Sequence, residues 1–101
     1  MNLLHIPHNR GIRLVKPEQI IRVEALNNYS IIFFDKGQPL TVAKVLHWFE
    51  EVLPSAMFAR VHRSHLVNKM YMQEISGTNY GTLVLNNGDK ISMSWRKKLM
   101  V

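Results

Sequence analysis

Two short runs of β-forming residues, separated by a pair of asparagines, most constrain how this chain can fold. The first run covers residues 20–26 (IIRVEAL) and the second covers residues 29–35 (YSIIFFD). The first alternates between apolar and charged side chains, which is typical of a strand with one face in solvent. The second is apolar on both faces, which favours a strand buried on both sides. Asparagine tolerates the left-handed backbone of tight turns, so Asn27 and Asn28 predict the tip of a hairpin.

Similar signals recur along the rest of the chain. Residues 12–15 predict an early strand, and Pro39 places residues 39–42 at a sheet edge because proline cannot donate a ladder hydrogen bond. Asn87 and Gly88 form the strongest short hairpin signal in the sequence. In all we expect about eight short strands, over residues 12–15, 20–26, 29–35, 39–42, 58–68, 69–75, 82–86 and 90–94.

One segment, residues 42–53, carries the periodicity of a helix. Its apolar positions recur at intervals of three and four, which places on one stripe Val42, Val45, Leu46, Phe49, Val52 and Leu53. Thr41 is a candidate N-cap, and Pro54 follows the last position of the stripe. No alternation of strands and helices is visible, so the sheets should be mainly antiparallel. We therefore predict a mostly β fold with one short helix at about residues 42–53.

Length and composition limit the class of protein. A chain of 101 residues fits a single domain over residues 1–101, in which residues 1–11 read as a loose N-terminal segment. The formal net charge of +6 favours an anionic partner such as a nucleic acid. The sequence has no cysteine and no apolar run of about 18 residues, so we expect a soluble, cytoplasmic protein that has no membrane partner.

Basic residues are concentrated in residues 58–68 (FARVHRSHLVN), where Arg60, His62, Arg63 and His65 alternate with apolar side chains. No Asp or Glu occurs in residues 52–73 to neutralise them. Since charges are almost never buried without a partner, this segment is either a solvated strand edge or a surface that presents cations to an anion. A second basic group lies near the C-terminus and consists of Lys90, Arg96, Lys97 and Lys98.

The same segment offers little support for catalysis or metal binding. Ser64 is not surrounded by a G-x-S-x-G motif, and no glycine-rich phosphate loop is present. His62 and His65 are three residues apart, and on a strand that spacing directs side chains to opposite faces. We therefore expect no enzymatic activity, no cofactor, no metal site and no small-molecule substrate.

The pattern F-x-R-x-H-R-S-x-L-V-N over residues 58–68 resembles the central motif of LytTR-type DNA-binding domains, the output domains of many bacterial response regulators. The sequences IIRVEALNNYSIIFF and LVLNNGDKISMSWRKK stand before and after it in the expected order, so the resemblance covers residues 12–98. It implies an elongated fold of small antiparallel sheets. It also implies sequence-specific binding of double-stranded DNA in bacterial transcription regulation, by side chains on loops and strand ends that enter the major groove.

Carried over by position, the resemblance implies a set of DNA-binding residues. The predicted set is Asn28, Tyr29, His62, Arg63, Lys69, Arg96, Lys97 and Lys98. Arg63 and Arg96 would read bases, His62 and Asn28 would assist, and the three lysines would contact phosphates. Asn68 and Ser64 would be structural. A second copy of the domain on a repeated half-site would add affinity.

Two alternatives remain open from the residues alone. A protein-interaction module would use the same basic face to bind an acidic partner, and it would expose an apolar patch. Binding of RNA ranks third. DNA reading would instead require Arg63 and Arg96 on one surface.

Overall fold

A five-stranded antiparallel sheet forms the centre of the fold in the computed structural model, which describes residues 2–77 and 81–94. The strand order across the sheet is β5-β4-β3-β7-β6. The strands are β3 (Ile20–Leu26), β4 (Tyr29–Phe34), β5 (Leu40–Val42), β6 (Phe58–His62) and β7 (His65–Asn68). The predicted hairpin at Asn27 and Asn28 is confirmed, and Asn27 has the left-handed φ of 55° that such a tip requires. The strand after Pro39 is at an edge of the sheet, as predicted.

Two smaller antiparallel sheets complete the β structure. A hairpin consists of β1 (Leu4–His8) and β2 (Gly11–Val15), and a three-stranded sheet has the order β10-β9-β8. Its strands are β8 (Met72–Ser76), β9 (Thr82–Leu85) and β10 (Lys90–Ser92). Asn87 and Gly88 lie in the β9–β10 turn, as predicted. The described residues thus contain ten strands, and the molecule is elongated, 44 × 27 × 23 Å. The mostly β, antiparallel architecture with one α-helix is confirmed.

The N-terminal hairpin differs from the expectation of a loose segment over residues 1–11. Leu4 and Ile6 alternate with exposed residues along β1 and point into the core, where Ile6 is fully buried. Asn9 and Arg10 form the connecting turn with positive φ angles. The alternation was too short and too interrupted by Pro7 to be recognised as a strand.

The helix α1 (Leu46–Val52) begins four residues later than predicted. Thr41 is not its N-cap, because Thr41 lies in β5 opposite Ile31. Val42 is likewise held in β5, opposite Ser30. Leu46 and Phe49 of the predicted apolar stripe are buried. The first residue of the stripe, Val42, belongs to a strand instead of the helix.

Lys69–Tyr71 forms a 3-10 turn, so the strand predicted from Lys69 begins only at Met72. Asn68 causes the difference, because its side-chain oxygen accepts a hydrogen bond from the backbone N–H of Met70 at 3.0 Å. The Nδ2 of Asn68 donates to the carbonyl oxygen of Ile20 at 2.9 Å. The structural role predicted for Asn68 is confirmed.

Each face of the central sheet contributes to a separate core. One face packs under α1 and the β1–β2 hairpin, around Ile6, Val23, Ile32, Phe49 and Leu66. The opposite face packs against the three-stranded sheet, around Val61, Val67, Leu83, Leu85 and Ile91. The central strands are therefore covered on both sides, which leaves the two ends of the sheet as the places where its turns meet solvent.

Candidate nucleic-acid interface

Two turns that carry predicted DNA-binding residues lie at the same end of the central sheet. β7 is antiparallel to both β3 and β6, so the turn after β3 and the turn after β6 must share one end. The backbone N–H of Ala25 donates to the carbonyl oxygen of Ser64 at 2.9 Å and joins the two turns directly. We call this region, residues 27–28 and 63–64 with the strand ends beside them, the turn end.

The first turn presents Asn28 and Tyr29 to solvent. Asn28 is exposed at the tip, and Tyr29, the first residue of β4, is 49% exposed opposite Leu26. The left-handed Asn27 allows the chain to reverse within two residues. Both predicted residues are therefore accessible at the turn end.

The second turn presents Arg63. Its side chain is exposed, and within residues 2–77 and 81–94 its guanidinium has no hydrogen bond or ion pair. The backbone around it is held, however, since the carbonyl oxygens of His62 and Arg63 accept hydrogen bonds from Arg60 Nε and Nη2 at 3.0 and 2.6 Å. Among the described residues, the turn thus presents an exposed cation without a partner on a restrained backbone.

Arg60 itself is not an unpaired cation, contrary to the interpretation from the sequence. Its side chain is only 11% exposed, and its Nη1 lies 2.7 Å from Glu50 Oε1 in α1. The absence of acidic residues near Arg60 in the sequence was misleading, because the fold places the Glu50 carboxylate of α1 next to its guanidinium. Arg60 links α1 to the turn that carries Arg63.

His62 and His65 form a cross-strand pair beside this turn. They are opposite one another in the β6–β7 register, and their ring centroids are 5.2 Å apart. The prediction that they point to opposite faces was wrong because a two-residue turn, Arg63 and Ser64, lies between them. The Nδ1 of His62 accepts a hydrogen bond from the backbone N–H of Ser64 at 3.0 Å, which fixes the ring against the turn.

His65 is largely enclosed, with a side chain that is 17% exposed. Its Nδ1 is buried without a hydrogen-bond partner in the described part of the chain, and it lies 4.0 Å from Glu24 Oε1. Burial lowers the pKa of His65 below its ordinary value of 6.5, although the nearby Glu24 carboxylate opposes the shift. The neutral form of His65 is therefore favoured in the folded domain.

Arg22 is a structural residue that the sequence interpretation placed on a solvent-exposed face. It is 9% exposed, its Nη1 lies 2.6 Å from Glu24 Oε1, and its Nε lies 3.0 Å from Asp89 Oδ2. Its guanidinium also covers the ring of Phe33 at 3.9 Å. Burial tends to raise the pKa of Asp89, but hydrogen bonds from Arg22 and Asn87 outweigh it and lower that pKa. Arg22 therefore fastens the β9–β10 turn to the central sheet.

Lys69 is not brought together with the predicted residues of the turn end, Asn28, Tyr29, His62 and Arg63. It follows the last residue of β7, and its backbone N–H donates to the carbonyl oxygen of Met57, just before β6 begins. Lys69 therefore lies at the end of the sheet opposite Arg63.

The predicted contacts Arg96, Lys97 and Lys98 lie outside the described residues, as does Trp95. The last described residue, Ser94, has a backbone N–H that donates to the carbonyl oxygen of Val61 at 3.1 Å. Val61 immediately precedes His62. The described chain therefore ends beside the β6 edge, one residue from the start of the candidate site.

We also searched the described residues for a metal site and for a membrane-spanning helix. In residues 2–77 and 81–94 no group of three or more His, Asp or Glu side chains is arranged to hold a metal ion. Among the helices described, none is long and apolar enough to cross a membrane.

The fold matches that of a solved DNA-binding domain. The structure is similar to the solved LytTr DNA-binding domain of a putative methyl-accepting/DNA response regulator from Bacillus cereus, with a TM-score of 0.79 and 24% identity. That similarity covers 100% of this chain and 99% of the other. The family model of the LytTr DNA-binding domain matches residues 10–99. The chain therefore belongs to the LytTr DNA-binding domain family, a class that acts in DNA binding and transcription regulation.

A curated relative agrees with this assignment. The chain is 35% identical over 85 residues to the sensory transduction protein LytT of Enterococcus faecalis (strain ATCC 700802 / V583). The similarity covers 82% of this chain but only 35% of that relative, so the chain spans about a third of its length.

Proposed function

We propose that this domain binds double-stranded DNA sequence-specifically in bacterial transcription regulation, and that its turn end enters the major groove. The observation that carries the proposal is the contrast within the β6–β7 hairpin. The guanidinium of Arg63 is exposed and has no partner among the described residues. The guanidinium of Arg60 instead donates hydrogen bonds to the backbone carbonyl oxygens of His62 and Arg63. A preorganised turn loses less conformational freedom when it binds, so more of the contact energy remains for affinity.

The dimensions of the turn end are compatible with a groove. Neighbouring strands lie about 4.8 Å apart, so the β3–β4 turn and the β6–β7 turn, two strand spacings apart, are separated by roughly 10 Å. The major groove of B-DNA is about 12 Å wide. Both turns can therefore face the same groove.

The proposed roles follow from the chemistry of each side chain. Arg63 would donate two hydrogen bonds to a guanine edge, which is the commonest specific contact in the major groove. Asn28 and His62 would read adjacent bases or sugars, and Tyr29 would pack against the backbone. Arg96 as a second base reader, with Lys97 and Lys98 on phosphates, remains part of the proposal because Ser94 ends the described chain beside Val61. Lys69 is left out of the proposal, because it lies at the end of the sheet opposite Arg63.

The experiment begins with selection of bound sequences from a random duplex pool, followed by titration of the selected duplex and of a scrambled one. Arg63→Ala should cost about 1–3 kcal/mol on the selected duplex and less on the scrambled one. Arg13→Ala is the matched control, because Arg13 lies on β2 against Phe34, near the other end of the sheet. Equal losses on both duplexes for Arg63→Ala would contradict the base-reading role.

One observation favours a protein-interaction surface as a second function. Ile12 and Leu14 lie on β2 with 64% and 57% exposure, opposite Pro7 and His5. They form an apolar outer face on the N-terminal hairpin, away from the turn end. Ile12→Ser combined with Leu14→Ser should leave DNA affinity unchanged; a loss of DNA binding in the folded variant would show that the two surfaces are not separate.

A further inference from the structure

A third segment reaches the turn end, and it carries Lys44. β5 is antiparallel to β4, so its last residues lie beside the first residues of β4, with Val42 opposite Ser30. The hydroxyl of Ser30 donates to the carbonyl oxygen of Lys44 at 2.7 Å, and the N–H of Lys44 donates to the carbonyl oxygen of Val42 at 2.8 Å. The backbone of Lys44 is therefore fixed next to the β3–β4 turn.

The side chain of Lys44 also lies over an aromatic ring. Its Nζ lies 5.3 Å from the centre of the Trp48 ring, and it has no ion pair with any residue of the described ranges. Trp48 in turn packs edge-on against the buried Phe49, at 4.9 Å. A cation–π contact of this kind orients an ammonium group but does not neutralise it.

The position of Lys44 across the sheet indicates which part of a duplex it would meet. The β6–β7 turn lies about three and a half strand spacings from β5, or roughly 17 Å. That distance exceeds the major-groove width of about 12 Å, so with Arg63 in the groove Lys44 falls over the bordering sugar–phosphate backbone. We propose that Lys44 binds a DNA phosphate beside the groove that the turn end enters; this inference rests on the function proposed above.

The other lysines of the central sheet differ in one decisive respect. Lys36 lies in the β4–β5 connection, where Asp35 donates its N–H to the carbonyl oxygen of Gln19, and Lys69 follows β7. Both are exposed, but both lie at the end of the sheet opposite Arg63. They carry the same charge as Lys44, which is half-buried, and they lie at the other end of the sheet, which makes them charge-matched controls.

The experiment measures the affinity for the selected duplex and for a scrambled duplex across a series of salt concentrations. The variants are Lys44→Met, Lys44→Arg, Lys36→Met and Lys69→Met. Methionine keeps an apolar stem against Trp48, and thermal unfolding of each variant establishes that it is folded. One phosphate contact contributes about 0.9 to the slope of log K against log salt, which corresponds to about an eightfold loss near 0.1 M salt.

We expect Lys44→Met to lose about eightfold on both duplexes and to reduce the salt slope by about 0.9, with Lys44→Arg close to wild type. Lys36→Met and Lys69→Met should change the slope little. An unchanged slope for Lys44→Met, or equal changes for all three methionine variants, would overturn this inference. If those outcomes occur while Arg63→Ala still relaxes sequence preference, only the Lys44 assignment fails. If the wild-type domain binds no duplex at all, the proposed function fails and this inference fails with it.

Discussion

Arg60 Nη2 donates a hydrogen bond to the carbonyl oxygen of Arg63 at 2.6 Å, so one arginine of the hairpin holds the backbone of the other. A second bond from Arg60 Nε to the carbonyl oxygen of His62, and the ion pair with Glu50, fix the same guanidinium. Arg60 and Arg63 looked alike in the sequence, but their surroundings in the hairpin differ. Arg60 holds the backbone of the turn, and within residues 2–77 and 81–94 the guanidinium of Arg63 has no hydrogen bond or ion pair.

The first prediction concerns Arg60→Lys. Lysine keeps the charge and can still reach Glu50, but it has no fork of N–H donors for the two carbonyl oxygens. We expect a stability loss of about 1–3 kcal/mol and a reduced affinity ratio between selected and scrambled duplex. Urea unfolding and duplex titrations measure the two effects.

A destabilised control separates positioning from general loss of structure. Val67→Ala removes buried apolar volume from the same sheet and leaves the turn's hydrogen bonds intact. Val67→Ala should lower the free energy of unfolding by a similar amount but keep the affinity ratio between the selected and the scrambled duplex. A preserved ratio in Arg60→Lys as well would show that Arg60 does not position Arg63.

The second prediction concerns Asn68. Its side chain is fully buried and bonds to Ile20 and Met70, so Asn68→Ala would leave a buried carbonyl oxygen without its partner. We expect a loss of about 1–3 kcal/mol in the free energy of unfolding, measured with urea. Asn86→Ala, at an exposed position, should change it by less than about 0.5 kcal/mol. Similar values for the two variants would contradict the role of Asn68.

The third prediction is a dependence of stability on pH. Because burial lowers the pKa of His65 in the folded domain, the unfolded chain binds a proton at His65 before the folded domain does. Above pH 6.5 the titration of His65 does not change the free energy of unfolding. As the pH drops from 6.5 towards the folded pKa of His65, the free energy of unfolding falls. His65→Gln should lose this part of the pH dependence, whereas His5→Gln, at an exposed position on β1, should retain it. Unfolding titrations between about pH 5 and 8 measure the difference; identical profiles for wild type and His65→Gln would contradict it.

The sequence predicted those parts of the fold that depend on local patterns. Asn27, Asn87 and Gly88 indicated hairpins because their backbone preferences are intrinsic to the residue. The apolar stripe indicated a helix, but the start of the helix was predicted too early. Val42 pairs with Ser30 in the sheet, and such a contact between distant segments is not visible in the local sequence pattern. Similarly, the side chain of Asn68 turned the segment after β7 into a 3-10 turn.

The candidate site was predictable only in part, for a related reason. The motif in residues 58–68 identified the segment, yet it could not show that Glu50 neutralises Arg60 or that Lys69 lies at the far end of the sheet. Those facts depend on strand order and direction. Lys44, which we propose as a phosphate contact, was not singled out from the sequence for the same reason, since nothing local to it indicates a binding residue.

The central claim is that the turn end is the DNA-binding surface, and amide NMR spectra recorded during titration with the selected duplex test it most directly. We expect the largest shifts at residues 27–29, 43–45 and 62–65, with residues 35–38 and 69–71 at the other end of the sheet nearly unchanged. The reverse pattern, or shifts confined to the outer face of the β1–β2 hairpin, would contradict the account.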